Sequence, residues 1–177
     1  MARVNSVIIV VDCSIAHAAG SEEAIHPTSK RCRDFLISVL RICHRIGISP
    51  AISEEWKRHR SGFSRQWLVS MYARKKVAQI ARLEDLELRE AIQNAKVPDK
   101  SREAMFKDVH LLEAAMNSDS RIASLDETVR KLFSDLAGQF KPVQSICWVN
   151  PNIESELTIS WLDAGAPVEA ARQLASS

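Results

Sequence analysis

The chain has 177 residues, a net charge of only +2, and the hydrophobic and charged fractions of an ordinary globular protein, 46% and 26%. The length fits one domain, residues 1–177, with a core that needs no covalent staples. The small net charge excludes nucleic-acid binding through overall charge, so any such affinity must come from local clusters of cations. The four cysteines contain no CxxC pair and lie in or beside apolar runs, which favours buried thiols over zinc ligands or disulfides.

Residues 7–11 form the first predicted element, a strand. Their continuous β-branched run is typical of a strand covered on both faces. The run is too short for a secretory signal and is closed by Asp12, which the apolar core of a signal would not tolerate. No other segment approaches a membrane span. We therefore expect a cytoplasmic protein without a membrane partner.

A strong amphipathic helix is predicted from Pro27, and Gly47 is expected to stop it. Residues 46–48 then leave room only for a minimal second strand. The apolar stripe of the helix comprises Cys32, Phe35, Leu36, Val39, Leu40, Cys43 and Ile46.

Residues 50–96 are predicted to form consecutive helices broken near Gly62, an extra helical stretch after the second strand. Ser49 is the expected N-cap of the first of them, with Pro50 at the first helical position. Ser101 is expected to cap the next helix.

The second half alternates between strands and helices. We predict strands over residues 121–125 and 143–149, a helix over residues 127–136, and a last helix carrying Leu157 and Trp161. Strands that alternate with helices predict an α/β fold, a three-layer sandwich with a central parallel sheet.

Four acidic residues occupy positions that such a fold would bring together. Asp12 and Asp126 each follow an apolar strand, at the edge where open parallel sheets bind ligands, although each could equally cap the following helix. Asp108 is expected early in a helix, on the flank of its apolar stripe, and needs a partner, either a metal ion or an Arg or Lys. Glu55 begins a helix, where the helix dipole stabilises acidic side chains. Glu54 takes its place as the candidate ligand if the helical phase is off by one.

The combination and order of these residues resemble the PIN-domain nuclease family. That pattern has a hydrophobic strand ending in Asp, a Glu in a helix after a Ser-Pro-like strand exit, an Asp in a later helix, and a strand ending in Thr/Ser-x-Asp. The spacing of Asp108 to Asp126 is its most specific part, and the match covers nearly the whole chain up to Asn150. Two departures leave substrate and partner open: Ser14 stands where the family often has Asn, and the helical stretch is long. The matching segments are VIIVVDCS at 7–14, SPAISEEW at 49–56, KDVHLLEAA at 107–115 and RIASLD at 121–126.

The resemblance implies a divalent-metal-dependent nuclease, more often acting on RNA than on DNA, with an antitoxin-like inhibitor protein and a homodimer as further expectations. Mg²⁺ or Mn²⁺ suits a set of carboxylates plus phosphate oxygens, and such an ion lowers the pKa of a bound water and neutralises the scissile phosphate. Ser14 and Ser124 are expected either to orient the neighbouring carboxylates or to cap helices. The expected catalytic and metal-binding residues are Asp12, Glu55, Asp108 and Asp126.

A basic stretch follows Glu55. Residues 56–76 contain no acidic residue. The aromatic residues interleaved with the cations are expected to lie in the hydrophobic core. Phosphate binding is mainly cationic, so we predict that the cations bind nucleic acid, the alternative being a solvated basic face. His110 is expected to turn away from Asp108, whereas His17 and His26 could approach a substrate. The stretch contains Lys57, Arg58, Arg60, Arg65, Arg74, Lys75 and Lys76, and the first four are the predicted nucleic-acid ligands.

Three functional hypotheses remain at this point. The first is a nuclease, whether a toxin, an RNA-processing enzyme or a defence enzyme. The second is a catalytically inert PIN-like module that binds RNA or a protein. The third is a phosphoryl-transfer enzyme using Asp12 as an aspartyl phosphate, which is disfavoured because such enzymes usually have a second Asp where this chain has Ser14.

Overall fold

Five parallel strands form the centre of the computed structural model, which describes residues 5–81 and 84–176. The strand order is β3-β2-β1-β4-β5, so the first strand lies in the middle. The predicted domain over residues 1–177 includes positions 1–4, 82, 83 and 177, which lie outside the described residues. The strands are β1 Ile8–Val11, β2 Arg45–Ile48, β3 Val77–Gln79, β4 Arg121–Ala123 and β5 Cys147–Val149.

Helices cover both faces of the sheet. The helices are α1 Cys13–Ala18, α2 Pro27–Arg41, α3 Pro50–His59, α4 Gly62–Ala73, α5 Leu86–Gln93, α6 Asp99–Met116, α7 Glu127–Ala137 and α8 Thr158–Asp163. On one side α2 packs against α1, α4 and α8, and on the other α6 packs against α5, α7 and the central strands. The predicted α/β three-layer sandwich with a parallel sheet is therefore confirmed. None of the described helices is long and apolar enough to cross a membrane.

The second helix ends earlier than the sequence predicts. It stops at Arg41, where the ammonium group of Lys76 donates to the carbonyl oxygens of Val39 at 2.6 Å and Leu40 at 2.7 Å. These contacts satisfy carbonyls that a helix end leaves without partners. Gly47 therefore does not stop the helix but lies inside β2, where an added Cβ would come within 2.5 Å of Ile80 Cδ1.

The predicted run of helices over residues 50–96 is interrupted by a strand. The first two helices, α3 and α4, form as expected, and Ser49 caps α3 by accepting from the backbone N–H of Ile52 at 3.3 Å. After α4 the chain turns through Lys75, whose φ is 56°, and enters β3, which pairs with β2. The prediction of helices alone over this range was wrong because sheet pairing decides the state of residues 77–79.

Other boundaries shift by a few residues. Helix α6 begins at Asp99 after Pro98, so Ser101 lies inside the first turn and is not the cap. Strands β4 and β5 are shorter than predicted, and Leu157 precedes α8 in a left-handed conformation.

The first two tryptophans lie in the core, as expected for aromatic residues of the basic stretch, whereas Tyr72 is 50% exposed, so the prediction was wrong for that residue. Trp56 and Trp67 are stacked with ring centroids 6.0 Å apart, and each is almost fully buried. Trp56 Nε1 donates to the carbonyl oxygen of Val11 at 3.1 Å, and Trp67 Nε1 donates to that of Leu36 at 2.6 Å. The first of these bonds attaches α3 to the end of β1, directly beside Asp12.

Candidate metal centre

Four distant segments of the chain meet at a cavity of about 320 Å³ beside the carboxyl ends of β1 and β4. The two strands pair in parallel with Val11 opposite Ala123, and the backbone N–H of Asp12 donates to the carbonyl oxygen of Ala123 at 2.9 Å. The residues that follow these strands are thereby held side by side. The cavity is lined by Asp12, Cys13, Ser14, His17, Glu55, His59, Lys107, Asp108 and Asp126, which include all four predicted acidic residues.

Asp12 is buried, and two serines hold it. Its Oδ2 atom accepts from Ser14 Oγ at 2.5 Å and from Ser124 Oγ at 2.7 Å. Asp12 precedes α1, yet its side chain makes no capping hydrogen bond to that helix. Among the two structural alternatives for this residue, capping is therefore not the role that the geometry shows.

Asp126 does cap the helix that follows it. Its Oδ1 atom accepts from the backbone N–H of Val129 at 2.9 Å, the usual N-cap contact. Ser124 Oγ accepts from the backbone N–H of Asp126 at 3.1 Å while donating to Asp12. A single buried hydroxyl thus connects the two aspartates, and the cap leaves the second carboxylate oxygen of Asp126 available.

Asp108 lies in the middle of α6, not near its predicted start, and has no cationic partner among the described residues. In the described part of the chain its carboxylate forms no hydrogen bond and no ion pair, so the pairing with Arg or Lys that was the alternative to a ligand is not seen. Burial and, next, the negative charge of Asp12 raise its pKa to about 6. A half-buried carboxylate that has no partner and lies near a second carboxylate is electrostatically unfavourable unless a cation binds between the two.

Glu55, not Glu54, faces the cavity. Glu54 is exposed and forms a surface ion pair with Lys57 at 2.9 Å. Glu55 Oε2 lies 3.2 Å from His110 Nε2, although the ring N–H does not point along that line, so the contact is an ion pair without a well-directed hydrogen bond. Burial acts to raise the pKa of Glu55, but His110 and then Lys107 and His59 outweigh it and lower the pKa below its ordinary value.

His110 was predicted to turn away from Asp108 as a surface or structural residue. It does not line the cavity, but the surface alternative was wrong. Its side chain is 11% exposed and reaches Glu55 because α3 packs against α6. Burial acts to lower the pKa of His110, but the Glu55 carboxylate, followed by Asp108, raises it overall. Sequence spacing places a residue on its own helix, whereas this contact depends on how two helices pack.

Two cavity residues, Lys107 and His59, were not assigned a role from the sequence, whereas His17 was expected to approach a substrate. Lys107 and His59 bring positive or ionisable groups to the rim, and His17 Nδ1 contacts the carbonyl oxygen of His59 at 2.9 Å. Cys13 is buried beside Asp12, and burial, then the two nearby carboxylates, raise the pKa of its thiol to about 11. His26 lies elsewhere, where its ring accepts from the backbone N–H of Thr28 at the start of α2.

No protein-family model matches the chain, and no curated protein matches it either. The fold and the cavity are therefore the basis for inferring a function. Within residues 5–81 and 84–176, no three His, Cys, Asp or Glu side chains are grouped so that they could hold a metal ion as they stand.

The predicted nucleic-acid ligands do not all lie together. A second cavity, of about 230 Å³, is lined by Lys57, Arg60 and Arg65. Arg58 is exposed but does not line that cavity. Lys76, also part of the basic stretch, binds the end of α2 and so has a structural role.

The buried-thiol prediction is confirmed for three of the four cysteines. Cys13, Cys32 and Cys147 are buried and free, whereas Cys43 is exposed, so the prediction was wrong for that residue. Cys43 lies in the loop after Arg41, where the shortened α2 no longer includes it.

Proposed function

We propose that the protein is a divalent-metal-dependent nuclease that hydrolyses phosphodiester bonds, acting as an endoribonuclease on single-stranded RNA. One observation carries the proposal. Asp12, Glu55, Asp108 and Asp126, which come from four separate segments, line one cavity at the carboxyl edge of a parallel sheet. A protein gains nothing in stability from collecting carboxylates there, and the arrangement suits a site that takes up a cation and a phosphate.

The donor set fits Mg²⁺ or Mn²⁺, because carboxylate oxygens are the ligands that these hard cations prefer. The raised pKa of Asp108, without a described cationic partner, is the observation that supports the fit. Asp12, Asp108 and Asp126 would hold the ion, with Glu55 completing the set. When bound, the ion would supply an acidified water and would neutralise charge on the scissile phosphate.

The surrounding residues set the carboxylates in place. Ser14 and Ser124 fix one oxygen of Asp12, and the helix cap fixes one oxygen of Asp126. Each aspartate therefore keeps a defined orientation with a second oxygen available for binding. Lys107 at the rim contributes positive charge where a phosphate group would enter.

RNA is proposed over DNA because of the resemblance to PIN-domain nucleases in the segments around the four acidic residues. The same resemblance supports regulation by an inhibitor protein and assembly into a homodimer. It leaves toxin, RNA-processing and defence roles open. All of these extend the nuclease proposal and depend on it.

The experiment that tests the proposal is cleavage of an end-labelled single-stranded RNA with Mg²⁺ or Mn²⁺, with an EDTA control. We expect cutting by the wild type and a loss on the order of 10²-fold or more in Asp12→Asn and Asp126→Asn. Asparagine caps helices as well as aspartate does, so Asp126→Asn should keep the fold. Retained cutting in both variants would exclude this site.

Glu55→Gln and Glu54→Gln form a matched pair of controls. The two residues are adjacent on α3, but only Glu55 lines the cavity, while Glu54 pairs with Lys57 on the surface. We expect the first substitution to slow cleavage and the second not to slow it. Equal effects would show that the charge of α3, and not a ligand in the cavity, is what matters.

A catalytically inert PIN-like binding module is the second candidate, and a specific observation favours it. Glu55 is already paired with His110, and no described group of side chains is closed around a metal position. If RNA binds but no divalent ion supports cutting of any RNA tested, this candidate replaces the nuclease.

A further inference from the structure

The basic residues after Glu55 divide into two sets that the sequence does not distinguish. Lys57, Arg60 and Arg65 line one cavity of about 230 Å³, together with Ser61 and Gly62. Arg58 is exposed and lies outside it. Successive helical residues point about 100° apart, so neighbours such as 57 and 58 face different directions.

Within the described residues, the two arginines of this cavity have no side-chain partner in the protein. Across the described residues, neither Arg60 nor Arg65 forms a side-chain hydrogen bond or ion pair, and only Lys57 has an acidic neighbour, Glu54. Other arginines of the molecule do have such partners, for example Arg89 with Glu113 and Arg130 with Glu156. Two cations without protein partners in one concave site, with no acidic residue among the cavity's lining residues, suit a phosphate group.

The backbone under this cavity is held firmly. The N–H groups of Ser61 and Phe63 donate to the carbonyl oxygens of Ala16 and Gly20, and Ser64 Oγ donates to Ala16 at 2.6 Å. The turn between α3 and α4 is therefore attached to α1 and to the loop that follows it. A rigid turn keeps the cations at fixed positions, which lowers the entropic cost of binding.

This cationic cavity is continuous in sequence with the candidate metal centre. The acidic cavity is the one of about 320 Å³ that contains the four carboxylates. His59, the last residue of α3, lines this acidic cavity, and the next residue, Arg60, lines the basic one. The carbonyl oxygen of His59 also contacts His17, which lines the acidic cavity. A polyanionic strand that enters the acidic cavity would meet the basic one where it leaves across the end of α3.

We propose that Lys57, Arg60 and Arg65 form a phosphate subsite that binds the backbone of single-stranded RNA next to the segment held in the acidic cavity. The choice of RNA rests on the proposed function. The subsite itself is defined by cations and cavity shape, and it would bind backbone phosphates whether or not the protein cuts them. Arg58, its sequence neighbour, is not part of it.

The test measures binding without cleavage, so that it stands apart from the nuclease assay. Fluorescence anisotropy of a labelled single-stranded RNA in EDTA gives Kd as a function of salt concentration for the wild type and for Arg60→Gln/Arg65→Gln. Each lost phosphate contact to a single strand lowers the slope of log Kd against log salt by about 0.7. We expect several-fold weaker binding and a slope lower by about 1.4 in the double variant.

Two controls separate a subsite from general charge and from misfolding. Arg58→Gln/Arg74→Gln removes the same number of charges from exposed positions outside the cavity and should change the slope much less. Arg60→Lys/Arg65→Lys keeps the charges and should restore most of the slope. Thermal unfolding of each variant checks the fold. Competition with inorganic phosphate distinguishes a site for any phosphate from one that needs a connected backbone.

Each outcome decides the proposal. A lower slope of log Kd against log salt in Arg60→Gln/Arg65→Gln, and not in Arg58→Gln/Arg74→Gln, supports the subsite. If the wild type shows this binding but cuts no RNA, only the nuclease proposal is overturned. Equal loss in both glutamine pairs, or cutting with unchanged binding by Arg60→Gln/Arg65→Gln, overturns the subsite and leaves the nuclease proposal standing. Absence of RNA binding by the wild type overturns it as well.

Discussion

Two carboxylates on the same helix differ in whether they have hydrogen-bond and ion-pair partners. Glu113 and Asp108 lie five residues apart on α6. Glu113 is 8% exposed and accepts from Arg89 Nε at 2.7 Å, from Arg89 Nη2 at 3.0 Å and from the backbone N–H of Asp85 at 3.0 Å. Asp108 has no such bonds to the described residues and instead faces Asp12 across the acidic cavity.

The difference separates carboxylates that stabilise the fold from carboxylates that are held for binding. A buried charge is tolerated when it is paired and fully hydrogen-bonded, and Glu113 meets both conditions. Asp108 meets neither, and its raised pKa is the consequence. A carboxylate of the first kind should affect stability when it is changed, and one of the second kind should affect function.

Glu113→Gln is expected to have the largest effect on stability. The amide keeps the volume but replaces one bidentate acceptor of Arg89 with a donor. The partly buried guanidinium then keeps only the more distant Glu84, 3.9 Å away, as an acidic partner. We expect a loss of about 2 kcal/mol in the free energy of unfolding, measured by urea denaturation. Metal-dependent cleavage below the unfolding transition should not change.

Glu54→Gln is the matched control for that prediction. It also removes an acidic residue from a pair with a basic one, but that pair is exposed. Exposed pairs contribute little, so we expect a change of no more than about 0.5 kcal/mol. A loss in Glu113→Gln as small as in Glu54→Gln would mean that the contrast between the two kinds of carboxylate does not hold.

Ser124→Ala sharpens the comparison from the side of the acidic cavity. The hydroxyl group donates to Asp12 and accepts from the backbone N–H of Asp126, so its loss loosens both. Removing groups that orient ligands typically lowers metal affinity or activity 10- to 100-fold, and we expect about that loss in cleavage rate. The readouts are the rate as a function of Mn²⁺ concentration and the unfolding midpoint.

Ser134→Ala controls for the removal of a buried hydroxyl. In the part of the chain that the structure describes, Ser134 Oγ has no hydrogen-bond partner, and the residue lies on α7 outside the cavity. Cleavage by this variant should match the wild type. If Ser124→Ala shifts neither the rate nor its dependence on Mn²⁺, Ser124 is only a structural link between β4 and α7.

The sequence predicts the parts of the fold and site that follow from strand ends. Asp12 and Asp126 could be placed at one edge because parallel strands present their carboxyl ends together. What it could not predict depends on contacts between distant elements. Gly47 pairs with Val10 and Ala78 in the two neighbouring strands, so a glycine expected to end a helix lies in a strand instead.

The same limit applies to the site. His110 has the spacing of a residue turned away from Asp108, and only the packing of α3 on α6 brings it to Glu55. The basic stretch was predicted as one group, but the turn between α3 and α4 directs Lys57, Arg60 and Arg65 into a cavity without Arg58. The sequence identifies the cations, and the tertiary structure decides which of them line the cavity.

A substitution at Asp108 is expected to have an effect of the opposite sign, a gain in stability. Asp108→Asn should make the metal-free protein more stable at pH 8. The pKa of Asp108 is raised from 3.8 to about 6 in the folded state, so its protonated form is the one that favours folding. That contribution is fully present below pH 3.8 and is lost as the pH rises through about 6. At pH 8 the wild type therefore carries an unfavourable charge that asparagine removes.

A shift of this size corresponds to about 3 kcal/mol when fully expressed, and screening of a half-buried group reduces it to about 1 to 2 kcal/mol. Urea denaturation in EDTA at pH 8 measures the gain, which should shrink toward pH 5. Asp34→Asn, which breaks a surface pair with Lys30, should give no gain. Adding Mn²⁺ should stabilise the wild type and not Asp108→Asn, because binding to the folded state alone raises stability. A metal-free wild type that is more stable than the variant at pH 8 would show that Asp108 has a cationic partner in solution and belongs with Glu113.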